Sequence, residues 1–115
     1  MRVYIATLCL VAGPAWAHHS AAQFDFDQTV MVTGVIKEMD VRNPHTKLVL
    51  EVTNEDGVVK DIEFEGHSRN NIYRRGWRPS IVAVGDTIKI GIAPTRDGSD
   101  GGYVKTYILG DGTEF

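Results

Sequence analysis

Four histidines punctuate this sequence, His18, His19, His45 and His67, and two of them adjoin in the stretch Ala15-Trp16-Ala17-His18-His19-Ser20. Ala-x-Ala is an ending at which a signal peptidase cuts. A cut after Ala17 makes His18 the first residue, with an α-amine and a ring Nδ1 that close one chelate ring on a metal. A further imidazole across from them completes a T of three nitrogens, a set that suits the square-planar nitrogen preference of Cu(II). The amine has a pKa near 7.7 and imidazole one near 6.5, so freeing both lone pairs at neutral pH costs little. His45, directly after Asn43-Pro44, is the expected second imidazole, and His19 is an alternative ligand. The amino-terminal Cu(II) motif with histidine in third place is absent, because Ser20 stands there. Copper is therefore the one cofactor this pattern suggests. The plain alternative is that histidines behind a cut site face solvent and that His45 donates to a turn carbonyl.

Other chemistry is thinner. Asp61, Glu63 and Glu65 share one strand face by the two-residue period, a row that could do acid–base work but is more often a solvated face. No serine sits in a Gly-x-Ser-x-Gly elbow. The single cysteine, Cys9, lies in the apolar run ahead of the cut, so the mature chain has neither thiolate nor disulfide. Arg74-Arg75-Gly76-Trp77-Arg78-Pro79 is the other conspicuous cluster. It supports a ligand surface of Trp77, Arg75 and Glu65, on which a planar group could stack, or a core in which Trp77 plugs one end of the fold. The loop Asp97-Gly98-Ser99-Asp100-Gly101 matches a calcium loop in composition only, without spaced ligands or a closing Glu.

These residues need elements to position them. Thr29 to Met39 is a β-branched run with Gly34 where a strand bends. Lys47 to Thr53 alternates, Leu48, Leu50 and Val52 on one face, and Val58 to Glu65 returns after the Asn54-Glu55-Asp56-Gly57 turn. Ser68 is an expected N-cap and Gly76 an expected C′ residue of a helix of about two turns. Thr87 to Ala93 and Tyr103 to Leu109 are the last strands. Three meandering strands, a short helix and two more strands predict an all-β fold, a small five- or six-stranded OB-like barrel with the helix between strands 3 and 4.

Arg2, the apolar run Val3 to Gly13 and the Ala-x-Ala end make residues 1–17 an expected signal peptide. The run is too short for a span of about 20 residues, so no transmembrane segment is expected after cleavage. Residues 18–115 are then a single domain of 98 residues in the periplasm. Losing Arg2 leaves 11 basic against 15 acidic side chains, a net charge of about −4, which opposes a nucleic-acid role.

The motifs "AHHS", "NPH" at 43–45, "FEG" at 64–66, "RRGW" at 74–77, "VGD" at 84–86, "RDGS" at 96–99 and the terminal "DGTEF" occur in an order that resembles a family of small exported bacterial proteins with a domain of unknown function. The resemblance spans the mature chain and implies a periplasmic single-domain protein, with no activity attached. Two positions depart from its pattern: Thr46, where an aromatic or aliphatic residue is expected, and His67, where a small one is. The combined expectation is a non-catalytic binding or accessory module for a small molecule, a metal or a periplasmic protein. The competing one is a small copper-dependent redox enzyme using His18 and His45.

Overall fold

The computed structural model describes residues 22–115; the expected signal peptide, His18 and His19 lie outside them. Five strands form: β1 Val30–Asp40, β2 Thr46–Thr53, β3 Val59–Gly66, β4 Thr87–Pro94 and β5 Gly102–Ile108. One helix, α1 Arg69–Arg74, and a 3₁₀ turn, Pro79–Ile81, lie between β3 and β4. The strands close in the order β1-β2-β3-β5-β4, the OB-type barrel expected from the element order.

Closure depends on β1 serving two neighbours. Its first half pairs with β4, Val30 opposite Ile92 through Val35 opposite Thr87, and its second half pairs with β2. Gly34 sits at the handover. A Cβ there would lie 2.8 Å from Glu51 O and 3.0 Å from Leu50 Cβ, so only glycine lets the strands approach this closely. A register shift between Ile36 and Glu38 adds the coiling that a small barrel needs.

The alternation in β2 does what its period requires: Leu48 and Leu50 are fully buried, while Lys47 and Glu51 face out. They meet Phe64, Ile88, Ile90 and Val104 inside the barrel. Ser68 Oγ accepts from Asn71 N at 3.2 Å, the expected cap of α1. Ile72 is the buried residue of α1, and Trp77, after Gly76 at φ +102°, joins the same core. The C-terminal tail also packs there. Phe115 exchanges both backbone hydrogen bonds with Tyr107 at 2.9 Å, and its ring stands edge-on to Trp77 at 5.2 Å.

The buried surface under β3 is partly polar. Tyr107 Oη and Thr46 Oγ1 are both enclosed without a hydrogen-bond partner, and both flank Gly66. A Cβ on Gly66 would come within 2.5 Å of Tyr107 Oη, which accounts for glycine at the end of the "FEG" motif.

Candidate functional site

The turn between β1 and β2 carries His45, and α1 holds that turn in place. Arg69 N donates to Arg42 O at 3.0 Å, and Asn70 N donates to Asn43 Oδ1 at 3.3 Å. His45 thereby sits beside the last turn of β3, its Nδ1 3.3 Å from Glu65 Oε1. The approach lies outside hydrogen-bonding angles, and it is an ion pair only when the imidazole carries a proton on both nitrogens. Nδ1 is shielded from solvent, while the side chain as a whole is 44% exposed, so the open part of the ring lies away from Nδ1.

Glu65 occupies the closing seam of the barrel. It pairs with Lys47 on β2 and with Tyr103 on β5 through the parallel β3–β5 contact. Tyr103 is the hub of this face. Its ring lies 5.1 Å from His67, 6.4 Å from His45, 5.8 Å from Phe24 and 5.2 Å from Phe26. Tyr103 Oη is 3.1 Å from His67 Nδ1, the donor depending on the tautomer. Burial, with the Glu65 charge adding to it, raises the Tyr103 hydroxyl above its ordinary pKa, against the pull of Arg75.

Burial lowers the pKa of His67, and the charges of Arg75 and His45 lower it further. The folded chain therefore keeps this ring neutral at a pH where the unfolded chain, titrating near 6.5, takes up a proton. Stability from the neutral ring is fully present above that pH and falls as pH drops through it. We expect metal-free protein to lose urea resistance between pH 7.5 and 5.5, and His67→Gln to lose distinctly less over the same range; equal losses would remove His67 as the cause.

A short arm docks on the same face. Phe24 forms a β-bridge with Thr95 and is 6% exposed, Arg96 N donates to Gln23 O at 2.8 Å, and Asp25 N donates to Pro94 O at 2.8 Å. A cleft of about 230 Å³ lies where the arm begins, lined by Gln23, Phe24, Glu63, Glu65 and Asp100 among others. Lys105 fastens the arm from β5. Its Nζ donates to Phe26 O at 3.2 Å, Gln28 O at 3.1 Å and Thr29 Oγ1 at 2.7 Å.

The sequence-derived site residues thus divide. His45 and Glu65 are brought together, and Arg75 is near enough for its charge to act on His67 and Tyr103, with one guanidinium nitrogen 3.3 Å from Lys105 O. Trp77 takes the core position that was the alternative to a surface shared with Arg75 and Glu65. It is 1% exposed, packed on Tyr107 at 5.1 Å, because the turn after α1 carries it inward. Among the described residues, no three His, Cys, Asp or Glu side chains converge closely enough to hold a metal. His67 and Tyr103 also belong to this face, although neither was among the expected site residues. His67 continues the outward period of Glu63 and Glu65, which could have flagged it.

Residues 6–104 match the model of a family described as a family of unknown function, DUF6152. The chain belongs to this family. No curated protein matches the sequence. In this DUF6152 member the polar face lies between the β1–β2 turn, which carries His45, and the β4–β5 loop, which leads into Tyr103. Those are the two loops with which OB-type barrels bind ligands.

Proposed function

We propose that this chain is an exported, non-catalytic binding module of the periplasm that takes Cu(II) through its mature N-terminus. Residues 1–17 are the signal peptide in this reading, and cleavage turns His18 into a bidentate amine–imidazole donor. His45 supplies the third nitrogen. A proton on Nδ1, the nitrogen 3.3 Å from Glu65 Oε1, would leave the Nε2 lone pair for the metal.

The observation that carries this reading is the anchorage of the arm. Gln23 is pinned to Arg96 and lines a cleft with Glu65, which in turn contacts His45. Four residues lie between His18 and Gln23, and the five steps from one to the other reach at most about 17 Å. His45 is within that compass, since it and Phe24 both pack against the ring of Tyr103. Among the described residues no three such donors converge, so this reading draws the remaining donors from the terminus.

The test is protein exported to the periplasm, its first residue verified by mass spectrometry, given one equivalent of Cu(II). Electron paramagnetic resonance is expected to show a tetragonal centre with nitrogen couplings, and His45→Ala to remove one of them. One extra residue ahead of His18 converts the amine to an amide and breaks the chelate, so affinity should fall roughly tenfold or more. Equal binding by native and extended chains would overturn the proposal. Loss of the coupling in His19→Ala, rather than in His45→Ala, would move the third nitrogen to His19.

A further inference from the structure

A second cavity, remote in chemistry from the polar face, lies between the end of β1 and the segment that follows α1. Its volume is about 270 Å³, and every side chain lining it is apolar or aromatic. Ile36 and Trp77, fully enclosed, form its floor; Met39, Tyr73, Val82 and Val84 rise around it, Val84 with 70% of its surface exposed. Such exposure of a valine beside an apolar hollow leaves surface that a ligand would cover favourably.

The hollow is built rather than incidental. The wall at Ala83–Asp86 is tied down by Gly85 N to Ile36 O at 2.8 Å, Ile36 N to Asp86 O at 2.9 Å and Ala83 N to Asp86 Oδ2 at 2.9 Å. Arg78, between the lining residues Trp77 and Pro79, brings one positive charge beside the hollow. Its guanidinium lies 5.1 Å over the ring of Tyr73, with Nη1 donating to Tyr73 O at 3.0 Å and to Trp77 O, and no carboxylate pairs with it among the described residues. The acidic groups of neighbouring segments are engaged elsewhere: Asp40 pairs with Arg42 at 3.3 Å, and Asp86 accepts from Ala83 N.

From these features we infer that the cleft binds a short linear carboxylate, its chain laid against Met39, Tyr73, Val82 and Val84 above the enclosed Trp77 and Ile36, and its head group against Arg78. Size sets the class. An apolar cavity of about 150 Å³ accommodates benzene, so about 270 Å³ accommodates a chain of roughly eight carbons and excludes the long tails of a phospholipid. Charge sets the polarity, because a guanidinium presents a planar fork that matches a carboxylate. The inference is independent of the copper reading.

The experiment is a titration of the exported protein with hexanoate, octanoate, dodecanoate and octanol, followed by ¹H–¹⁵N nuclear magnetic resonance. Octanoate is expected to bind saturably, with shifts centred on Trp77, Val82 and Val84, and each added methylene up to eight carbons to tighten binding about fourfold. Dodecanoate should gain little beyond octanoate. Arg78→Gln is expected to weaken octanoate about tenfold and leave octanol unchanged, and Val84→Glu, at an exposed position that folding tolerates, to weaken octanoate more than octanol. Shifts centred on Tyr103 instead of Trp77, absence of saturation, or octanol and octanoate binding alike in both wild type and Arg78→Gln would each overturn the inference.

Discussion

Trp77→Ala lowers the stability of the folded chain by about 4 kcal/mol, within the range found when a buried tryptophan is cut back to its Cβ. The side chain is 1% exposed, with Tyr107 stacked at a tilt 5.1 Å away and Phe115 edge-on at 5.2 Å. Truncation therefore removes three contacts together: the floor between barrel and α1, the cover over Tyr107, and the ring that holds the C-terminal tail. Small domains have about 5–15 kcal/mol in all, so this one substitution consumes a large share. Urea unfolding reads it directly, and the melting temperature should drop by roughly 15–30 °C for a domain of this size. Trp77→Phe, which keeps a ring against Tyr107, should cost well under half as much. A loss below about 1 kcal/mol for the alanine variant would instead restore Trp77 to the surface role that its arginine neighbours suggest.

That outcome bears on how far the chain could be read without its structure. The alternation of Leu48 and Leu50, the cap at Ser68, the stop at Gly76 and the bend at Gly34 are local signals, each produced by a few adjacent residues, and each appears where the pattern places it. Those signals suffice for a closed barrel with one short helix. They do not say which outward residues meet across the seam. Glu65 and Tyr103 are 38 positions apart and become neighbours only through the parallel β3–β5 contact that shuts the barrel. A two-residue period assigns a face to a side chain but not a companion. His45 was legible as a turn residue and as a histidine; that its shielded nitrogen faces a carboxylate was not. Trp77 shows the converse limit: the arginines on either side left its ring open between surface and core, and packing on Tyr107 and Phe115 decides for the core.

Lys105→Met is expected to free the arm while sparing the barrel. In the β4–β5 ladder Gly91 pairs with Thr106 and Ile92 with Val104, so Lys105 is the extra residue of a bulge, turned out of register toward residues 26–29. Its three ammonium donors meet three arm acceptors, two carbonyls and a hydroxyl, and methionine keeps the stem while deleting all three bonds. Hydrogen bonds to a charged donor are worth about 1.5–3 kcal/mol when protected and less at a surface, so a combined loss of about 2 kcal/mol is expected, roughly thirtyfold in local opening. Amide exchange should therefore quicken about thirtyfold at Asp25 and Gln28, whose N–H groups bond within the arm and to Pro94, while amides of β2 keep their wild-type rates. Copper provides the second reading. A freed arm lowers the effective concentration of the terminal amine at His45, so Cu(II) should bind more weakly, by up to that same factor, with unchanged stoichiometry and unchanged nitrogen couplings. Faster exchange with undiminished copper affinity would show that the metal, if bound, does not use the terminus. Unaltered exchange would show that the burial of Phe24 against Tyr103 holds the arm without help from the lysine.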